Sequence, residues 1–330
     1  MRFCIVGAGA LGSILAAALI RSGHQVAVVA RGRRADQLRS LGLSVRGLIT
    51  IDLPCHVVEL PSQPSACDVL ILATKAIDTE ASLQPFAGIG VDCAFSVQNG
   101  ILKDDLLAGV LGQGRVLGAM ADFSGELTGS GEVLFTRNVC LHLGELSGQS
   151  SPRLTSIAAA IDQAGVRTAA VTDIRTREWS KFVGWLALVP VAVLTRLPTA
   201  QLLCDAGCAE VLVRLAREAG ALARAEGVEI IDLSPLPSAC LQDGDIAPAI
   251  ERVQDVGRRM RSSVPGHRMS CLQDIERGTP LEIEETLGDA LERGQRLGID
   301  MPTLRSCLQL LRACDPGRDL RRASSTPVPR

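Results

Sequence analysis

The sequence contains no tyrosine, and aromatic residues make up only 2% of it. Proteins that grip single-stranded nucleic acid stack bases on aromatic side chains, and little here could do so. A basic excess is missing too: 34 Lys+Arg stand against 36 Asp+Glu, a formal net charge of −2. A phosphate-tracking face needs surplus cations, so no nucleic-acid partner is expected. No run of about 18 uninterrupted apolar residues occurs, so no membrane partner is expected either. The apolar stretch Phe182 to Leu194 reads as a buried helix. No basic leader precedes the apolar start, so no signal peptide is expected. No Cys-x-x-Cys pair occurs among the 11 cysteines, which are scattered from Cys4 to Cys314 through apolar segments. They read as reduced thiols used as small hydrophobes in a cytoplasmic protein, with no metal site.

What remains is an ordinary folded chain of 330 residues, 47% apolar and 21% charged, long enough for two domains. Phe3-Cys4-Ile5-Val6 is a short apolar run ending at glycine, as buried parallel strands do. Leu11 to Arg21 has helical spacing and stops at Ser22-Gly23. Val26 to Ala30 is a second strand, which completes a βαβ unit. Further strands are expected at Val69 to Ala73, Cys93 to Val97 and Arg115 to Met120, with helices between them. Val133 to Thr136 and Val139 to Leu143 read as an edge hairpin. Helix Arg153 to Ala164 and strand Val166 to Val171 follow. This alternation predicts an α/β fold with a doubly wound Rossmann sheet over 1–171. Residues 172–316 read as an all-helical domain. Its helices are Arg177 to Leu194, Ala209 to Glu226, Ile246 to Arg261, Leu281 to Leu297 and Thr303 to Cys314. Residues 317–330, rich in Arg, Ser and Pro, read as a tail.

The turn Gly7-Ala8-Gly9-Ala10-Leu11-Gly12 follows a strand and opens a helix, the context in which this spacing binds a dinucleotide. Gly7 allows the tight turn, Gly9 lets backbone approach a pyrophosphate, and Gly12 lets helix and strand pack. The helix N-terminus then presents N–H groups to the phosphates. An NAD enzyme usually ends its second strand with Asp or Glu. Here Val29-Ala30 runs into Arg31-Gly32-Arg33-Arg34, with no carboxylate nearby in sequence. A guanidinium suits a 2′-phosphate, so NADP(H) is expected, with Arg31 first and Arg34 as helper. For Arg33 and Arg34 a solvated helix start is an equal reading. Two more strand ends, Thr74-Lys75 and Gln98-Asn99-Gly100, deliver Lys75 and Asn99 to the edge where open α/β sheets bind ligands.

These motifs, with Trp179-Ser180-Lys181-Phe182, Ser270-Cys271-Leu272-Gln273-Asp274-Ile275, Glu282-Ile283 and Gly298-Ile299-Asp300-Met301-Pro302-Thr303, run nearly the full length in an order that resembles the ketopantoate reductase (2-dehydropantoate 2-reductase) family. The resemblance implies a Rossmann domain followed by a helical domain, with the active site in the cleft. It implies NADPH-dependent reduction of a small-molecule 2-keto acid, with a homodimer as the expected assembly. It places the catalytic lysine at Lys181 and an acidic residue, holding that lysine or a ribose hydroxyl, at Glu282. It places the serine that binds the substrate carboxylate at Ser270, Asn99 near nicotinamide and substrate, and Lys75 near the reacting groups. The residues alone leave Lys181 open to another reading, a helix lysine whose ammonium reaches water.

The family's asparagines four and eight residues after the lysine are replaced by Trp185 and Val189, although Pro190 is kept. Its asparagine three before the serine is replaced by His267. Positions four and eight share a helix face, so two amides give way to an indole and an isopropyl group. The expected substrate is ketopantoate or a related carbonyl that is bulkier or more hydrophobic. Two further readings stay open: an imine- or opine-type dehydrogenase, and a non-catalytic NADP(H) sensor.

Overall fold

The protein is described from a computed structural model, which covers residues 1–59, 65–233 and 236–317. It divides into two compact units, Met1–Glu178 and Trp179–Arg330.

The first unit is built on a five-stranded parallel sheet in the order β5-β2-β1-β6-β7. The strands are β1 Arg2–Val6, β2 Gln25–Val29, β5 His56–Val58, β6 Cys67–Leu72 and β7 Val91–Ser96. Side chains alternate across a strand, and both faces here are apolar. Phe3, Ile5, Val28, Ile71 and Phe95 face one core, shared with α1 (Ala10–Arg21) and α5 (Pro152–Gln163). Cys4, Val6, Val29, Leu70 and Leu72 face the other, with Leu83 of α3 (Thr79–Leu83) and Leu107 of α4 (Leu102–Leu111). Helix α2 (Gly32–Leu41) follows β2. This is the expected α/β fold with helices on both sheet faces.

A second sheet was only partly expected. It joins β3 (Leu43–Gly47), β4 (Ile51–Leu53), β8 (Leu117–Leu127), β9 (Val133–Glu145) and β10 (Thr168–Ala170). The two strands expected within 133–143 are one strand, β9, and its hairpin partner is the long β8. Arg137-Asn138 looks like a turn in the sequence. Instead the ladder shifts register between Asp122 and Phe123 and again between Ser124 and Gly125. The two polar residues are satisfied there: Arg137 pairs with Asp122, and Asn138 donates to the Gly165 carbonyl at 3.0 Å.

The second unit is helical. Helix α6 (Ile174–Thr195) crosses the division between the units, seven residues after the boundary expected at 171. The others are α7 (Thr199–Cys204), α8 (Ala206–Ala225), α9 (Ile246–Ser263), α10 (Ser270–Glu276), α11 (Asp289–Leu297) and α12 (Pro302–Cys314). Helix α8 packs against α7, α9, α11 and α12, and buries Leu212, Leu215, Ala219 and Leu222. The helix expected from Leu281 begins later. Leu281–Ile283 are irregular, and a π-turn over Glu284–Gly288 leads into α11. By length and composition alone α6 could cross a membrane, but 78% of its apolar window is buried within the protein. Most of the expected tail, 318–330, lies outside the described residues.

Candidate active site

The dinucleotide turn has the shape its glycines imply. Gly7 has φ +105°, and a Cβ there would lie 2.6 Å from the Thr74 backbone nitrogen. A Cβ on Gly12 would run into the Gly7 carbonyl and lie 3.1 Å from the Ala73 Cβ. These two glycines are required by packing between β1, α1 and the end of β6. Gly9 differs: a Cβ there meets nothing within 4 Å, although Gly9 caps α1. Open space above a helix N-terminus with no side-chain cap and no acid in its first turn suits a pyrophosphate. The residues present therefore fit a dinucleotide.

Arg31 caps α2 with an extended backbone, and 73% of its side chain is exposed. Its Nη2 lies 2.6 Å from Oδ1 of Asp78, in the turn after β6. A second carboxylate, Glu59, follows β5 and pairs with Arg39 at 2.7 Å. Its pKa is held below the ordinary carboxylate value by Arg39 first and then by the Gly32 N–H. The strand end that lacks an acid in sequence thus gains two in space. Arg34 is neither a solvated residue nor an open phosphate ligand. It donates to the carbonyls of Ala8 (2.9 Å) and Gly131 (2.8 Å) and to Ser13 Oγ (2.9 Å). It clamps the glycine turn to the β8–β9 hairpin. Arg33 stays exposed and donates to the Gly129 carbonyl at 3.1 Å.

Lys75 and Asn99 follow β6 and β7 at the carboxyl edge of the sheet, both half-buried. Gln98, in sequence only a member of the Gln98-Asn99-Gly100 motif, sets the two loops. Its Nε2 donates to the Thr74 carbonyl (3.0 Å), Thr74 Oγ1 (3.1 Å) and Thr79 Oγ1 (2.8 Å). Its Oε1 accepts from Ser96 Oγ at 3.0 Å. An amide buried this way satisfies both its donors and its acceptor, and ties the end of β6 to that of β7. The only sequence signal for it was a polar residue on an apolar run. The structure therefore brings Gly7, Ala8, Gly9, Ala10, Leu11, Gly12, Arg31, Lys75 and Asn99 to neighbouring strand ends.

The remaining candidates belong to the second unit. Along α6 every residue from Glu178 to Val193 is buried except Lys181 and Trp185. They are four apart, so they form one stripe on the helix. Phe182 stacks with Trp185 at 6.4 Å and meets Trp179 edge-on at 6.0 Å. Val189 is buried in the core, so of the two amide replacements only Trp185 presents a surface. Ser270 is the exposed first residue of α10. His267 bonds through Nδ1 to Thr199 Oγ1 at 2.9 Å, and its carbonyl accepts from the Thr199 N–H at 3.0 Å. It holds the segment before α10 to the start of α7. Glu282 is half-buried just ahead of the π-turn, and its carbonyl accepts from Thr286 Oγ1. Such turns recur at functional sites. Among the described residues no group of three or more His, Cys, Asp or Glu is arranged to hold a metal.

A glycine turn at a parallel-sheet edge, a satisfied polar edge beside it and a helical second unit fit a dinucleotide-dependent oxidoreductase. The chain belongs to the ketopantoate reductase PanE/ApbA family: the family's pattern matches residues 3–148 and its C-terminal pattern matches residues 173–315. A 2-dehydropantoate 2-reductase of Archaeoglobus fulgidus is 30% identical over 316 residues, covering 96% of this chain and 98% of its own. The crystal structure of a PanE/ApbA family ketopantoate reductase from Ralstonia eutropha superposes with a TM-score of 0.80 at 26% identity, covering 97% and 100% of the two chains. A ternary structure of D-mandelate dehydrogenase with NADH and anilino(oxo)acetate shares the fold, with a TM-score of 0.83 at 18% identity and coverage of 97% and 100%. The family's activity is 2-keto acid reduction with a nicotinamide cofactor.

Proposed function

We propose that the chain is an NADPH-dependent reductase of a 2-keto acid, either ketopantoate or a related acid with a more hydrophobic side chain. The observation that carries this reading is the stripe of Lys181 and Trp185, the accessible positions on an otherwise buried stretch of α6. When bound, the nicotinamide supplies a hydride to the carbonyl carbon. Lys181 donates a proton to the ketone oxygen, where negative charge develops. Glu282 holds that ammonium or a ribose hydroxyl, and Ser270 receives the substrate carboxylate. Asn99 and Lys75 border the nicotinamide and the reacting groups. Trp185 offers an indole face where the family pattern has an amide, and His267 shapes the loop before Ser270.

Arg31 supports NADPH, because a phosphate can replace Asp78 as its partner. An exposed ion pair of this kind contributes only about 0–1 kcal/mol. The D-mandelate dehydrogenase complexes contain NADH, so the two cofactors are the comparison to make. A ketopantoate reductase of Staphylococcus aureus is described as dimeric, and a homodimer is proposed here too, to be read by light scattering.

The test is NADPH oxidation against a panel of 2-keto acids, with Lys181→Ala as control. Turnover that survives this substitution removes Lys181 from the mechanism. The loss of an amide at Trp185 also favours a second reading, in which an amine joins the keto acid before reduction. Oxidation that requires added amine selects it. Tight NADPH binding without turnover on any carbonyl or amine selects a sensor.

A further inference from the structure

Gly118 of β8 lies opposite Gly144 of β9 in the antiparallel ladder. A Cβ on Gly118 would sit 2.9 Å from Ile174 Cγ1 and 3.0 Å from Glu178 Oε2. A Cβ on Gly144 would sit 2.6 Å from Ile174 Cβ and 2.7 Å from the Val171 carbonyl oxygen. Neither glycine has a positive φ, so what they provide is space. Together they cut a notch in the sheet, and the first turn of α6 lies in it through Ile174 and Glu178.

Glu178 is 8% exposed there and Lys103, in the first turn of α4, is 4% exposed. Glu178 Oε1 accepts from the Ala119 N–H at 2.8 Å and from Lys103 Nζ. Lys103 also donates to the Ala119 carbonyl at 2.9 Å and to Asp104 Oδ1 at 3.4 Å. Asp104 is pushed well above the usual carboxylate range, by burial first and by the Glu178 charge second. With Asp104 protonated, one ammonium and one carboxylate remain, and the buried set is neutral. Apolar replacements of a buried ion pair are often as stable as the pair, so stability does not account for it. No step proposed above uses it.

Its place in the chain gives the account. Lys103 comes four residues after Asn99, and Glu178 comes three before Lys181 on the same helix. Residues three apart lie on adjoining helix faces, so fixing one fixes the direction of the other. We infer that Lys103 and Glu178 are positioning residues for Lys181. Their charge-assisted bond, closed over the Gly118–Gly144 notch, sets the depth and rotation of the first turn of α6, and so the direction in which the Lys181 ammonium leaves the helix. This rests on the reading of Lys181 as proton donor.

The test compares the wild type with Lys103→Met/Glu178→Gln. The glutamine keeps an acceptor for the Ala119 N–H, and the methionine fills the lysine's volume. Two measurements are made: steady-state kinetics on the best keto acid of the panel, and intrinsic fluorescence. The chain's 2 tryptophans, Trp179 and Trp185, both lie on α6 and there is no tyrosine, so emission reports this helix. The expected result is a folded variant with KM for NADPH within about twofold, kcat lower by about tenfold to a hundredfold, and a shifted emission maximum, as for a group displaced by a fraction of an ångström to about 1 Å. Unchanged kcat overturns the inference. If the wild type turns over no substrate the reductase reading has failed, and if Lys181→Ala is fully active the proton-donor role of Lys181 has failed. Fluorescence then decides alone, and emission identical to wild type overturns the positioning role. Should the double variant not fold, Glu178→Gln by itself carries the same kinetic and spectral expectations.

Discussion

Arg31 Nη2 and Asp78 Oδ1 lie 2.6 Å apart, joining the end of the second strand to the turn that follows Lys75. Asp78 therefore occupies the group that the NADPH reading assigns to a 2′-phosphate. Arg31→Ala is expected to raise KM for NADPH by about tenfold or more while leaving KM for NADH within about twofold, since a charged hydrogen bond contributes about 1.5–3 kcal/mol. Asp78→Asn is expected to do the reverse and lower KM for NADPH. Initial rates with both cofactors check this. Equal effects on NADPH and NADH would remove Arg31 from phosphate recognition.

Gly9 and Gly12 belong to one motif but answer to different demands. Gly9→Ala has free space in the protein, so its melting temperature should stay near that of wild type while dinucleotide binding falls by about tenfold or more. Gly12→Ala collides with the Gly7 carbonyl and should destabilise the fold by about 1–3 kcal/mol even without ligand. Thermal melting paired with NADPH titration separates the two.

Trp185→Asn restores an amide at the exposed half of the departed pair. The kcat/KM ratio of ketopantoate to a 2-keto acid with an apolar side chain should rise by about tenfold, the scale of about one hydrogen bond to a substrate hydroxyl. Val189→Asn buries an amide in the α6 core and should instead lower the melting temperature. A ratio unmoved by Trp185→Asn would place substrate selection elsewhere.

Asp104 gives stability a pH dependence of predictable sign. Below its ordinary pKa of 3.8 both folded and unfolded chains hold the proton. Above that value the unfolded chain releases it while the folded protein keeps it, so this group lowers stability as pH rises. Asp104→Asn mimics the protonated acid and removes the effect. Its melting temperature should match wild type near pH 3 and exceed it increasingly toward neutral pH. A difference that shrinks with rising pH would mean that Asp104 is ionised in the folded protein.

Much of the cofactor half was legible because its signals are local. Apolar runs of five residues, a glycine turn between strand and helix, and Lys75 and Asn99 directly after strands each depend on residues close together in sequence. The misreadings have equally physical causes. Arg137-Asn138 has the composition of a turn, but the bulged ladder against Asp122 and the Gly165 carbonyl accommodates it within one strand. The 281–297 segment has helical periodicity, but Leu281–Ile283 are irregular and Glu284–Gly288 follow a π path that periodicity does not distinguish.

The sequence by itself determined the doubly wound fold and the dinucleotide turn, because strand, turn and helix propensities act over a few residues; the candidates Lys181, Ser270 and Glu282 came from the resemblance to the family. Only the tertiary structure decided what long-range pairing controls. It put Asp78 on Arg31, turned Arg34 from a phosphate ligand into a clamp on Ala8, and left Trp185 accessible while burying Val189 one turn on. It also brought Lys103 to Glu178, 75 residues apart, over a glycine notch. Burial and ion pairing depend on which strands and helices become neighbours, and no local pattern in the chain carries that information.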